Sequence, residues 1–301
     1  MYHYWAYGLT VASEMEFPEL FPFPVQSVPD VCLTVGPVPI VNSHPKGLHL
    51  NSLDITPDQY RLEVKEVARY HVSKGKMIIV DPDPLASADV IRLYCLSNAF
   101  AALLHQRKTI PLHAAALLKD DKLVMILGDS GSGKSTTMAA LLQKGLSPFS
   151  DDVCVPVFSE GVCKFYASYP MMKFWKSTLE LPGLNLKVDR KIRPNMEKYG
   201  VYFHNQFNIE AKNPHVIFIL SNSDQFKEFK IFPINGIDLF QELDRNAYRG
   251  EYIGATDLRR EHFDFFSRLA NQVPCFRIER PSQGVDPSLI VKMISQKIVN
   301  C

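Results

Sequence analysis

The chain has 301 residues, 46% of them hydrophobic, and a formal net charge of +1, so it can bury one large core or two smaller ones and offers no overall charge for nucleic acid or a membrane surface. Six scattered cysteines (Cys32, Cys95, Cys154, Cys163, Cys275 and Cys301) include no C-x-x-C pair and read as reduced thiols, not as disulfides or a zinc site. The start, Met1-Tyr2-His3-Tyr4-Trp5, lacks the basic region of a signal peptide, and no apolar run would span a bilayer, so a cytoplasmic protein is expected.

Residues 1–85 carry short alternating runs, such as Tyr7-Gly8-Leu9-Thr10-Val11 and Val31-Cys32-Leu33-Thr34-Val35, between turns at Pro37 to Pro39 and Asp81-Pro82-Asp83-Pro84. This predicts a β-rich N-terminal region, with residues 86–301 forming the second unit. Tyr2, Tyr4, Trp5 and Tyr7 are expected to pack that sheet rather than to form a ligand platform. Ser87 to Gln106 has helical spacing, with Leu93, Leu96, Phe100, Leu103 and Leu104 on one side. A hairpin follows, from Leu112 through a polar turn at Lys119-Asp120-Asp121-Lys122 into the apolar strand Leu123 to Leu127. His113 is read as opening the first of these strands.

Gly128-Asp129-Ser130-Gly131-Ser132-Gly133-Lys134-Ser135 then fits the phosphate-loop pattern G-x-x-x-x-G-K-[ST] at every fixed position. A helix over Thr136 to Lys144 follows and stops at Gly145. In the order strand, glycine-rich loop, helix, successive N–H groups and a helix N-terminus converge on phosphate oxygens. Lys134 would meet the β- and γ-phosphates, Ser135 would ligate Mg²⁺, and Thr136 would continue the nucleotide contact. The next short strand, Pro148-Phe149-Ser150, ends in Asp151-Asp152, where an open α/β sheet presents ligand-binding groups. Two carboxylates there would divide two tasks, one handling Mg²⁺ and one accepting a proton from an attacking hydroxyl. Further on, His215 to Leu220 reads as a strand, and helices are expected near Ile237 to Arg245, Arg260 to Asn271 and Pro287 to Val299.

Leu112-His113-Ala114-Ala115, the hairpin, the loop and Ser150-Asp151-Asp152 resemble the catalytic core of the HPr kinase/phosphorylase family. The close match covers about residues 108–155. Outer details resemble the HPr-kinase-like enzymes that phosphorylate lasso-peptide precursors: Tyr7-Gly8-Leu9, Ser13-Glu14 with Pro18-Glu19-Leu20, Gln106-Arg107, and Pro274-Cys275-Phe276-Arg277. The resemblance implies an α/β, HPr-kinase-like (PEP-carboxykinase-like) phosphate-loop core behind an N-terminal β-rich region. It implies ATP and Mg²⁺ as cofactors and a peptide serine as acceptor. Lys134 would contact the β- and γ-phosphates, Ser135 and Asp152 would hold the metal, Asp151 would be the general base, and His113 would support it. The two aspartates' roles remain interchangeable at this point. The family's glycine- and arginine-rich segment is absent, its nearest counterpart being Arg190-Lys191-Ile192-Arg193-Pro194, so neither the reverse reaction nor HPr as acceptor is implied.

The basic segment Lys187 to Lys198 is read as a solvated surface loop, its alternative being a mobile cover for phosphate or a peptide carboxylate. Lys176 is read as packing beside an aromatic, and Arg259-Arg260 as starting a helix. The expectation is an ATP- and Mg²⁺-dependent serine kinase acting on a lasso-precursor peptide. Its alternatives are a kinase for another protein or small molecule, a nucleotide-binding regulatory module and, more distantly, a carboxykinase. Acceptor, ATP or GTP preference and oligomeric state stay open.

Overall fold

The computed structural model describes residues 1–24, 28–38, 48–50, 52–193, 195–282 and 287–300. Pro39, Pro194 and Cys301, named above, lie outside them. The molecule is mixed α/β with several sheets.

Nine short strands come first: β1 (Tyr2–Ala6), β2 (Leu9–Ser13), β3 (Phe21–Pro22), β4 (Val31–Val35), β5 (Leu48–Leu50), β6 (Leu53–Ile55), β7 (Gln59–Val64), β8 (Ala68–Ser73) and β9 (Met77–Pro82). They form one sheet in the order β3-β1-β2-β4-β9-β8-β7-β6-β5. Tyr7-Gly8 is the two-residue turn between β1 and β2, and the strand starts only at Leu9, because Tyr7 and Gly8 both have positive φ (57° and 78°). Tyr4, Trp5 and Tyr7 are buried, as their packing role requires, whereas Tyr2 lies exposed against the Tyr4 ring.

The helix over 88–106 runs as α1 (Ala88–Tyr94), a π turn (Cys95–Ala99) and α2 (Phe100–Gln106), with Ser87 as N-cap. Its apolar side and the nine-stranded sheet share a core that also takes in Val153, Val155, Tyr169 and Met171.

The second large sheet holds β10 (Ala115–Lys119), β11 (Lys122–Gly128), β12 (Ser147–Ser150), β18 (Pro214–Ser223), β19 (Lys230–Pro233) and β20 (Cys275–Pro281), in the order β12-β10-β11-β18-β20-β19. Asp120 and Asp121, both left-handed, turn β10 into β11 in two residues. Strands β11, β18 and β20 are parallel and buried on both faces. Alternate residues of β11 serve opposite layers. Val124 and Ile126 pack toward α3 (Lys134–Gln143) and α8 (Pro287–Asn300). Leu123, Met125 and Leu127 pack toward α5 (Gly236–Arg245) and α7 (Arg259–Gln272). That period of two places the end of β11 between helical layers, which is where its loop meets the start of α3.

Between these layers lie the hairpin β13 (Cys154–Ser159) and β14 (Val162–Ala167), then the sheet of β15 (Met171–Trp175), β16 (Arg190–Arg193) and β17 (Met196–Tyr202). Short helices α4 (Lys176–Leu179) and α6 (Glu251–Ala255) complete the chain. The basic segment therefore departs from the expected solvated loop. Arg190 pairs with Glu19 and Asp89, Lys191 with Glu197, and Arg193 lies over Tyr94. These partners fold the segment into strands. Among the described residues, no helix is long and apolar enough to cross a membrane.

Candidate active site

Gly128 ends β11 with φ 138°, and a Cβ there would overlap the Leu220 carbonyl, so only glycine fits. Gly131 and Gly133 also have positive φ, which turns the loop back on itself before α3 begins at Lys134. Lys134 Nζ donates to Gly128 O and, at 3.2 Å, to Asp129 O. Burial lowers the Lys134 pKa, and Asp152, Asp151 and Asp129 oppose that shift.

The loop is braced from behind by Arg280 on β20. Its Nε donates to Ser132 O at 2.9 Å and its Nη2 to Gly131 O at 3.4 Å. Among the described residues no carboxylate pairs with Arg280, so a buried positive charge stands directly behind the loop. Asn246, at the end of α5, holds the other side. Its Oδ1 accepts from Gly128 N at 3.0 Å, and its backbone O accepts from His113 N at 2.8 Å. Asn246 is itself fixed by donating to Glu242 O at 2.8 Å, and Arg277 pairs with the Glu242 carboxylate at 2.6 Å.

His113 lies two residues ahead of β10 rather than opening it; the isolated bridges of Leu112 to Cys154 and Ala247 hold it there. Its Nδ1 donates to Asp152 O at 2.9 Å, because a carbonyl only accepts. Nε2 of the neutral ring is thus left as an acceptor. Burial lowers the His113 pKa against the opposing charge of Asp152, which favours that neutral form. The ring stacks on Tyr248, with centroids 6.0 Å apart. Tyr248 is in turn anchored through its hydroxyl to Ser97 O in the π turn, at 3.0 Å.

Asp151 and Asp152 follow β12. Asp152 adopts a left-handed φ of 63°, which is strain at a non-glycine position. Both carboxylates are tied to Lys173 on β15. Asp151 Oδ2 accepts from the Lys173 amide at 2.8 Å, and Asp152 Oδ2 pairs with Lys173 Nζ at 2.5 Å. Burial, reinforced by the charge of Asp152, pushes the Asp151 pKa up to about 6. Burial would raise Asp152 too, but the charges of Lys173 and Lys198 outweigh it and hold Asp152 well below the usual carboxylate range. Burial would lower Lys173, yet Asp152, Tyr169 and Asp151 keep it firmly protonated. The environment thus separates two adjacent carboxylates, one able to take a proton near neutrality and one permanently charged.

The oxygen-only donor set, a hydroxyl at Ser135 and a carboxylate at Asp152, fits Mg²⁺, which commonly takes one or two protein oxygens and completes its shell with water and phosphate. Among the described residues no group of three or more His, Cys, Asp or Glu would cage a metal. A cavity of about 480 Å³, lined by Leu142, Met172, Phe174 and Val201, among others, takes in none of the site residues above. Chemistry, not cavity size, locates this site.

The outer motifs prove to be joints. Tyr7 N donates to Ser168 O at 2.8 Å, and its ring meets Tyr169 edge-on. Glu19, fully buried, pairs with Arg92 at 3.1 Å and Arg190 at 2.9 Å. Gln106 Oε1 accepts from Gly75 N at 2.8 Å, which fixes the β8–β9 turn. Residues that sequence reasoning missed are Lys173, Asn246, Tyr248 and Arg280. A lysine inside the apolar run Met-Met-Lys-Phe-Trp was the one available signal for a buried charge.

No protein-family model matches the chain, and no curated protein does. A solved structure, the HPr(Ser) kinase/phosphatase from Coxiella burnetii, is similar over 63% of this chain and 91% of its own, at 13% identity and a TM-score of 0.34.

Proposed function

We propose that the chain is an ATP- and Mg²⁺-dependent kinase that phosphorylates a serine hydroxyl, with the C-terminal serine of a lasso-precursor peptide as acceptor. The observation that carries this reading is a chain of three links among four residues beside the phosphate loop: His113 bound to Asp152, Asp152 bound to Lys173, and Lys173 bound to Asp151. The HPr-kinase-like core and the division near residue 85 belong to the same reading.

Lys134 and the loop amides from Gly128 through Thr136 would hold the β- and γ-phosphates, with the Arg280 charge adding to the field behind them. Ser135 and Asp152 would hold Mg²⁺, which neutralises phosphate charge when bound. Asp151 accepts the proton of the acceptor hydroxyl as its oxygen bonds to the γ-phosphorus. The bond from that phosphorus to the β-bridging oxygen breaks, and ADP leaves. Asp151 suits this task because it alone of the pair titrates near neutrality. His113 positions Asp152 through the backbone and leaves Nε2 to accept a hydrogen bond.

The test is transfer from γ-labelled ATP into short peptides ending in serine, with alanine-ending peptides, HPr and water as comparisons. Label on the serine-ending peptides alone is the expected result. Label on HPr would redirect the acceptor, and label on water or nowhere would leave a nucleotide-binding module.

A further inference from the structure

Strand pairing places one more cation at this site. In an antiparallel pair, directly opposed residues point to the same face, as do residues two apart along one strand. Lys173 uses one face of β15 to reach Asp152. Trp175, two residues on, shares that face, and Lys198 on β17 lies directly opposite Trp175. Lys198 Nζ sits over the Trp175 ring, 5.7 Å from its centroid. In register, Lys198 therefore stands one side-chain pair, about 7 Å of strand, further out than Lys173.

Exposure changes sharply over that step. Lys173 is 7% exposed and Trp175 is 45% exposed, so Lys198 and Trp175 stand where the face opens to solvent. The neighbouring charges are already engaged, Lys173 by Asp152 and Lys191 by Glu197. Among the described residues no carboxylate lies within ion-pair distance of Lys198, whose partner is an aromatic face. Its field nevertheless reaches both Asp151 and Asp152.

We propose that Lys198, steadied by Trp175, is the subsite for the carboxylate of an acceptor whose reactive serine is its last residue. In such a peptide the carboxylate and hydroxyl belong to one residue, so a cation beside the base is where the carboxylate falls when the hydroxyl faces Asp151. An internal serine offers an uncharged amide there and leaves Lys198 unmatched. The inference rests on the kinase reading above, and it assigns Lys198 to acceptor choice rather than to the nucleotide phosphates, which Lys134 and the loop amides already serve.

The experiment uses the full chain with ADP and Mg²⁺ and measures the affinity of one serine-ending peptide as free acid and as C-terminal amide, alongside transfer from γ-labelled ATP. The acid should bind at least about tenfold more tightly than the amide. Lys198→Met should abolish that preference, Lys198→Arg should retain it, and ADP affinity should not change in either variant. Equal binding of acid and amide by the native chain, or a preference that survives Lys198→Met, overturns the subsite. Weakened ADP binding in Lys198→Met also overturns it, by placing Lys198 on the phosphates. Lys198-dependent acid preference without transfer would keep the subsite and reject the kinase. Transfer without acid preference would do the reverse.

Discussion

Asn246 Oδ1 accepts a hydrogen bond from the Gly128 amide at 3.0 Å, across 118 residues of sequence. The same residue receives the His113 amide on its backbone carbonyl, so one side chain and one carbonyl set the spacing between the loop and the histidine. Replacing Asn246 with Ala leaves the Gly128 N–H buried without a partner, at a cost of about 1–3 kcal/mol. The variant should show a lower Tm and weaker nucleotide binding, read by thermal unfolding with and without ADP.

The buried pair of Lys173 and Asp152 gives a second prediction. Lys173→Met alone leaves Asp152 charged and unpaired, which should destabilise by about 3–5 kcal/mol. Adding Asp152→Asn removes that charge, so the double variant should regain most of the loss. Denaturant unfolding of the four proteins measures the coupling directly. Additive losses would show that the two side chains do not interact.

Asp151 predicts a pH dependence with an unusual sign. It must be ionised to accept a proton, so transfer should fall as pH drops through about 6, while Asp152 stays charged. Its folded pKa is raised, so the ionised form costs stability above about pH 6, and that cost disappears below the unfolded value of 3.8. Asp151→Asn should therefore be more stable than the native chain near neutrality, and the gain should vanish in acid. The same variant should lose roughly 10²- to 10⁴-fold in transfer with nucleotide affinity nearly unchanged. Rate profiles and unfolding curves across pH check both halves.

Arg280 supplies a fourth prediction, since it braces the loop through the carbonyls of Ser132 and Gly131. Arg280→Met should weaken ADP affinity roughly tenfold by removing charge-assisted bonds. Arg280→Lys, which keeps the charge but cannot bridge two carbonyls in one plane, should fall between. Titration calorimetry separates the three.

The loop, the hairpin and the aspartate pair were legible because each is local: a fixed spacing, a two-residue turn, two adjacent carboxylates. Helices at 88–106, 236–245 and 259–272 were legible for the same reason, from a repeating apolar side. Lys173, Asn246, Tyr248 and Arg280 were not, because each reaches the site from a distant segment and acts by where the fold delivers it. Strands β13 to β17 escaped because their runs are short and their alternation is broken by charges that pair across elements, as Arg190 does with Glu19. The left-handed turn at Tyr7 and Gly8 was hidden inside a run that alternates like a strand.

That turn lies against Ser168, Tyr166 and Tyr169, and Tyr169 in turn meets Lys173. Met1, at the other end of β1, is 73% exposed. An affinity tag fused ahead of Met1 would thus hang clear in solvent. Trimming the chain from the same end by a single hairpin would strip Tyr7 from Tyr169, the ring beside the lysine that governs both aspartates.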